Sequence, residues 1–467
     1  MNALHLSNSE FRALAGRMTG IAADFLAGLE GMRAFPQVSP QETEHAFATA
    51  LPEEGLRDGA LDALREVLAM SRPPTARFYG YVLGSGEPVA ALADLVASVL
   101  NQNVTAWRSA PAAVSLERNL VRSLAAALGC ADFGGSFCGG GSMANLMGLA
   151  MAREARLAAN DSGAPSGVVY ASSEVHMSVP KAVALLGLGR RNLHLIATDE
   201  RYRMSPSRLR AAIAADRIAG RRPFAVVASA GTVNTGSIDP LAEIGAICRE
   251  SGLWMHVDGA YGALAALAVP QQFAGLEAAD SLSLDAHKWL YQPLDCGMLL
   301  YRDAAAARAA FAFSGDYAKS LAVDPQEAFA FFDESLELSR RFRALKLWLS
   351  LRYHGLRAFR AAIRADLEHA RRLAQQVSDT ASLELLAPVE LSTVCFRYRA
   401  QGSGEEHDRL NGAILQRLIQ RGRVYLSNAT LGGRFALRAC FVNHRTTPED
   451  VAAIVPEVLA AAREALA

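Results

Sequence analysis

Short apolar runs alternating with helical stretches dominate the middle of the chain and restrict its fold most. The runs are Val168 to Ala171, Leu193 to Ile196, Phe224 to Ala228, Trp254 to Val257, Ser281 to Leu284 and Met298 to Tyr301. Each is short enough for a buried strand and too short for a buried helix. The helices between them have legible ends. Asp239-Pro240 supplies a cap and a first-position proline, and Gly252 supplies a stop. Alternation of this kind predicts an α/β layer fold with a largely parallel sheet.

The flanks read differently. Residues 1–77 form a helical segment that ends at the break Arg72-Pro73-Pro74-Thr75. Residues 78–353 form the large α/β domain, in which Leu338, Phe342, Leu345 and Leu349 recur at helical spacing before Gly355. Residues 354–467 read as a small α+β domain. Its predicted helices lie near 356–376, 406–421 and 447–466, and its strands near 393–398, 424–427 and 435–440. Thr447-Pro448-Glu449-Asp450 opens the last helix with a cap, a proline and two acids. Loops are marked at Asn160 to Gly167, Ser314 to Pro325 and Gln401 to Glu405.

Composition removes several function classes. Lys plus Arg and Asp plus Glu both count 47, so no net field attracts nucleic acid or an anionic membrane. At 51% hydrophobic and 20% charged residues, the chain is neither disordered nor fibrous. The six cysteines are scattered, with no CxxC pair, which argues against a zinc site or a disulfide scaffold. The start, MNALHLSNSEFRALAG, has no secretion-signal pattern, and stretches such as Ala182 to Leu188 are too short to cross a bilayer. The expectation is a cytoplasmic enzyme with no nucleic-acid or membrane partner.

In open α/β sheets ligands bind beyond the carboxyl ends of the strands. Those ends carry Ser172-Ser173-Glu174-Val175-His176, Ser229-Ala230-Gly231-Thr232, Asp258-Gly259-Ala260 and Asp285-Ala286-His287-Lys288-Trp289. Any one of these polar residues could lie on the surface; four consecutive strand ends point to a site. Cys138-Gly139-Gly140-Gly141-Ser142-Met143-Ala144-Asn145 adds a glycine run ahead of a helix at Met143 to Arg156, either an anion cradle or a plain turn. Lys288 in apolar surroundings is either a snorkelling surface residue or an amine whose basicity burial lowers, as carbonyl chemistry requires. Asp258, behind an apolar strand, needs a cation, either in a salt bridge or as a protonated ring nitrogen. A lysine, an acid, a phosphate cup and a group against a ring face are the parts that pyridoxal phosphate requires.

With these parts in view, the chain resembles the group II pyridoxal-phosphate-dependent amino acid decarboxylases, the family of aromatic-L-amino-acid and glutamate decarboxylases. The most specific pieces are His256-Val257-Asp258-Gly259-Ala260-Tyr261, Asp285-Ala286-His287-Lys288-Trp289 and Ser339-Arg340-Arg341-Phe342-Arg343-Ala344-Leu345-Lys346. The resemblance implies a fold type I architecture, like the pyridoxal-phosphate-dependent transferases, and a homodimer held by the helical N-terminal arm. It implies that Lys288 carries the cofactor, that Asp258 faces the pyridine nitrogen, that Ala260 lies against the ring and that His176 stacks over its other face. Gly141, Ser142 and His287 match phosphate-binding positions, and Thr232 falls in the matching Gly-Thr segment. Tyr317 matches a loop tyrosine that protonates the product carbon; by spacing alone it could be an ordinary exposed tyrosine.

The chain departs from many members in two places. It has Thr75-Ala76-Arg77-Phe78-Tyr79-Gly80-Tyr81 where they carry His-Pro before an aromatic cluster, and Asp285-Ala286 where they carry Asn-Pro. Asp285 puts a negative charge near the phosphate. Phe78, Tyr79 and Tyr81 are either packing residues, the commoner role of aromatics in such a loop, or an aromatic contact; the substrate leans towards an aromatic L-amino acid, with glutamate, diaminobutyrate and cysteine sulfinate as alternatives. Aldehyde synthesis or transamination on the same scaffold, and a non-catalytic binding protein, are the competing functions. Tyr317, where a phenylalanine goes with aldehyde formation in this family, favours decarboxylation.

Overall fold

The computed structural model describes residues 4–163, 166–313, 324, 327–399 and 403–467. Its large sheet has seven strands: β1 (Gly134–Cys138), β2 (Val168–Ser172), β3 (Leu193–Ile196), β4 (Pro223–Ser229), β5 (Trp254–Asp258), β6 (Ser281–Asp285) and β7 (Gly297–Tyr301). They lie in the order β1-β7-β6-β5-β4-β2-β3. Every pair from β3 to β6 is parallel, and β7 runs antiparallel to both its neighbours. All six apolar runs are therefore strands of one mostly parallel sheet, as a fold type I architecture requires.

Alternation along β5 and β6 divides the sheet's faces. Met255, Val257, Leu282 and Leu284 join the main hydrophobic core. Their neighbours Trp254, His256, Asp258, Ser281, Ser283 and Asp285 are equally buried but largely polar. The helix Gly141–Leu157 covers this polar face. It comes close because Gly148 has no side chain; a Cβ there would lie 2.5 Å from the His256 ring.

The small domain is a four-stranded antiparallel sheet, in the order β10-β11-β9-β8. Its strands are β8 (Leu383–Leu385), β9 (Thr393–Tyr398), β10 (Ser427–Leu431) and β11 (Arg434–Cys440). The helices Gly404–Arg421 and Ile454–Leu466 cover it. Thr447 caps the last helical stretch through a reciprocal box with Asp450. The helix Ala344–Asp379 runs from the large domain into the small one and bends at Gly355, whose φ of 74° is left-handed. The 353/354 division read from the sequence falls beside this bend.

Several local readings need correction. Leu338 and Phe342 precede the helix, which begins at Ala344. Asp239 does not cap the Leu241–Ser251 helix; its carboxylate accepts from the N–H groups of Met204 and Ser229, and Pro240 takes the cap position. The helix over the glycine run starts at Gly141 rather than Met143, with Gly140 at its cap. Residues Phe78 to Glu87 stitch the domains together. Tyr79 N–H donates to the Tyr425 carbonyl, Gly84 N–H to that of His287 and Glu87 N–H to that of Tyr291. No helix among the described residues is long and apolar enough to cross a membrane.

Candidate active site

A cavity of about 480 Å³ opens where β1, β2, β4, β5 and β6 end. Gly139 to Ser142, Asn145, His176, Asp258, Ala260, Asp285, His287 and Lys288 line it, with Val82, Leu83, Val233 and Tyr261 on its apolar side. The cavity lies at the strand ends, and it is lined by all but two of the residues matched to cofactor or catalytic positions. Thr232 is one exception. Its hydroxyl pairs with Thr235 at 2.8 Å and accepts from Ser237 N–H, so Gly231 and Val233 line the cavity in its place. Tyr317 is the other; it lies outside the described residues.

The floor of the cavity is a cup that only glycine permits. Gly140 has φ 140°, and a Cβ on Gly297 would lie 2.3 Å from the Gly140 Cα. A Cβ on Gly141 would lie 2.5 Å from the Ala260 Cβ and 3.1 Å from Asp285 Oδ2. The N–H groups of Gly141 and Ser142 are the first two of their helix and have no partner within it, which suits an anion.

Three side chains give the cup its chemistry. Lys288 Nζ lies 2.8 Å from Asp285 Oδ2. The Asp285 carboxylate is buried, and its Oδ1 has no hydrogen-bond partner. His287 Nδ1 accepts from Cys296 N–H at 3.2 Å, which leaves Nε2 as its N–H, 3.5 Å from Asp285. Burial holds His287 below the usual histidine range, against the pull of Asp285.

Asp258 ends β5 and is buried. Its Oδ2 accepts from Asn145 Nδ2 at 2.9 Å, and its Oδ1 accepts from the Ser283 hydroxyl and the Ala260 N–H, each at 3.2 Å. His176 follows β2. Its Nδ1 meets the Ser178 hydroxyl at 2.8 Å and the Ser178 N–H at 3.2 Å. Burial lowers its basicity, against the pull of Asp258.

Asn145, Ser178, Val82 and Leu83 belong to the site and were missed. Asn145 stands in the quoted glycine run, but nothing local says that an asparagine one turn into a helix reaches a strand. The aromatic cluster attracted attention that belonged to its neighbours. Phe78 stacks on Tyr425, with centroids 4.6 Å apart, and Tyr79 is buried against Phe441, so both are packing residues. The Ser339 to Lys346 segment braces the site from behind. Arg340 pairs with buried Glu117, Arg343 with Asp295 and Glu337, and Lys346 with Asp94.

These parts fit a group with an anionic tail, an electrophilic carbon and a basic ring nitrogen: the glycine cup, the amine of Lys288 and the buried Asp258. Comparison with known proteins agrees. The family model described as "Pyridoxal-dependent decarboxylase conserved domain" matches residues 51–399. An aromatic-L-amino-acid decarboxylase of Bacillus atrophaeus is 33% identical, over 99% of this chain and 97% of its own. A 4-hydroxyphenylacetaldehyde synthase of Rhodiola rosea is 32% identical, over 80% of this chain and 78% of its own. Among solved structures, Oryza sativa TDC with PLP and tryptamine superposes with a TM-score of 0.92 at 28% identity, covering 98% of this chain and 99% of that one. With the cup, the lysine and the buried acid already in place, these matches establish that the chain belongs to the pyridoxal-dependent decarboxylase family.

Proposed function

We propose that the protein decarboxylates aromatic L-amino acids with pyridoxal phosphate held in this cavity, releasing the amine and carbon dioxide. The observation that carries this reading is the convergence of Lys288, Asp258 and His176 on one glycine-floored cavity. When bound, pyridoxal phosphate supplies an electron sink for the pair left behind as carbon dioxide departs. Lys288 would hold its aldehyde carbon, Asp258 its ring nitrogen, and Gly141, Ser142 and His287 its phosphate. Ala260 keeps the ring's place open with a single methyl group, and His176 closes the cavity from β2.

The cavity's charge supports an aromatic substrate. Among the described residues lining it, Lys288, His176 and His287 are the only basic side chains, and all three have roles towards the cofactor. Arg438 does not line the cavity; it is buried behind the apolar wall and donates to the carbonyls of Tyr81, Val233 and Asn234 and to the Ser427 hydroxyl. Among the described lining residues, the distal carboxylate of glutamate, or a sulfinate, would find no cation beyond Lys288, His176 and His287. Relatives named for aromatic substrates add support. Carbon dioxide release across a panel of L-amino acids tests the reading. We expect aromatic substrates to exceed glutamate, 2,4-diaminobutyrate and cysteine sulfinate, and a preference for an acidic substrate would overturn it.

A second reading, oxidative formation of an aldehyde, draws on the Rhodiola relative. Tyr317 separates the two. A Tyr317→Phe protein is expected to keep releasing carbon dioxide while dioxygen and water are consumed and the product shifts from amine to aldehyde, ammonia and hydrogen peroxide. Unchanged amine yield by chromatography would remove Tyr317 from the mechanism.

The cup makes its own prediction. Gly141→Val places side-chain carbon where Ala260 and Asp285 already stand, and overpacking of this kind is met by displacement of the backbone. Pyridoxal phosphate affinity, titrated by absorbance on cofactor-free protein, is expected to fall on the order of 10²-fold, about 3 kcal/mol. Far-ultraviolet dichroism should stay unchanged.

We also infer a homodimer. Leu92, Leu95, Val96, Val99 and Leu100 form an exposed apolar face on the helix Pro88–Leu100, and Phe11, Met18 and Val67 are exposed on the N-terminal helices. Contiguous exposed apolar faces of this kind mark interfaces between subunits. Sedimentation should give a dimer, and the double variant Val96→Glu/Val99→Glu should raise its dissociation constant roughly 10²-fold or more. A monodisperse, active wild-type monomer would refute this.

A further inference from the structure

Behind Asp258 runs a chain of buried hydrogen bonds that reaches away from the cavity. Asn145 Nδ2 donates to Asp258 Oδ2 and to Ser178 Oγ, both at 2.9 Å. Asn145 Oδ1 lies 2.9 Å from His256 Nε2, and His256 Nδ1 lies 2.8 Å from Ser281 Oγ. Trp254 Nε1–H ends the chain, donating to Ser281 Oγ at 2.9 Å. Asn145, His256 and Ser281 are at most 1% exposed, so water cannot substitute for any link.

The chain admits two senses. In the first, the Asn145 amide N–H groups face Asp258 and Ser178, its oxygen accepts from His256 Nε2–H, and His256 Nδ1 accepts from the Ser281 hydroxyl. In the second, the Asn145 amide is turned, Asp258 becomes a donor and His256 carries its proton on Nδ1. The ends decide between them. An indole N–H only donates. Ser281 Oγ must therefore accept from Trp254, and its own proton needs an acceptor, which only His256 Nδ1 offers among its neighbours in the chain. At the other end, Ser178 N–H donates to His176 Nδ1, so this nitrogen too is an acceptor and receives the Ser178 hydroxyl. Both termini select the first sense.

We propose that Asn145, oriented by His256, Ser281 and Trp254, is a positioning residue that fixes Asp258 as a pure acceptor towards the cofactor and, through Ser178, fixes His176 with its proton on Nε2. The proposal rests on the roles given above to Asp258 and His176. Burial pushes His256 down to about 4, so its ring stays neutral and keeps one donor and one acceptor; Asp258 is the charge that faces it. The groups around His176 are Asp258, Asp285, Lys288 and Lys181.

The test is histidine ¹⁵N NMR on cofactor-free protein, followed by pyridoxal phosphate labelled at its ring nitrogen. In the wild type, His256 and His176 should both be protonated on Nε2. Trp254→Phe removes the terminal donor without touching the cavity. It should move the His256 tautomer ratio about fivefold towards Nδ1–H, the change that one lost neutral hydrogen bond produces. The protonated fraction of the bound ring nitrogen should fall in Trp254→Phe and further in Asn145→Leu. A role in packing alone would lower the melting temperature and leave both signals in place, which overturns the proposal. Wild-type His256 protonated on Nδ1 also overturns it, whether or not the variants fold. A wild type that cannot bind pyridoxal phosphate would instead sink the functional reading and leave the tautomer result standing.

Discussion

Lys288→Ala is expected to lose turnover by at least on the order of 10³-fold, within the range that one positioned reacting group contributes. The side chain sits on the first turn after β6, 19% exposed, and its amine lies 2.8 Å from a carboxylate that is 3% exposed. Two separate effects follow from its removal. The first is chemical, because no other lysine lines the cavity among the described residues. The second is electrostatic: Asp285 is left buried with an unpaired Oδ1 and no ammonium, and breaking a buried pair in this way costs about 3–5 kcal/mol. A poorly folded variant could thus imitate a catalytic defect. The double variant Lys288→Ala/Asp285→Asn separates the two, since it should regain most of the lost melting temperature and none of the turnover. Borohydride reduction of the wild-type protein with pyridoxal phosphate, followed by peptide mapping, should mark Lys288. A label on another lysine would remove it from the mechanism.

The sequence was most legible where chemistry and periodicity coincide. Each apolar run is a strand, and all but Leu193–Ile196, at the sheet's edge, are buried on both faces, where loop residues have no place. Gly134–Cys138 was missed as a strand for the converse reason: its glycines look like a turn. Gly135 is there to admit β7, as a Cβ on it would lie 2.3 Å from the Leu299 carbonyl. The polar residues at strand ends could be read because α/β topology gathers them on one rim. What could not be read was which buried group each polar side chain chooses. Asp239 looked like a cap and instead ties β4 to Met204. Thr232 looked like a ligand and serves its own turn. Asn145 looked like a helix residue and holds Asp258. These choices depend on contacts between residues far apart in sequence, such as the 113 positions between Asn145 and Asp258.

Asp258→Asn should give the other large effect, and its cause can be traced atom by atom. The wild-type carboxylate accepts on both oxygens: Asn145 Nδ2 on one, Ser283 Oγ and Ala260 N–H on the other. An asparagine has one oxygen and one NH₂ group, so one side must set donor against donor. If its NH₂ faces Asn145, the Asn145 amide must turn and give up its bond to His256 Nε2–H. If it faces Ala260, a backbone N–H is left without an acceptor. Either arrangement weakens the site locally and leaves the sheet intact, so the variant is expected to fold and to bind pyridoxal phosphate with reduced affinity. The larger loss is of charge. A neutral amide cannot balance a protonated ring nitrogen, and removing one partner of a buried charge pair costs about 3–5 kcal/mol. Expressed in turnover, that is roughly 10²- to 10⁴-fold. The measurement is kcat at saturating substrate and cofactor, with the melting temperature as a control for folding. Turnover within about tenfold of wild type would mean that less than about 1.4 kcal/mol rests on the charge. Asp258 would then be only an anchor for Asn145 and Ser283, and the electron sink would have to operate without a protonated ring nitrogen.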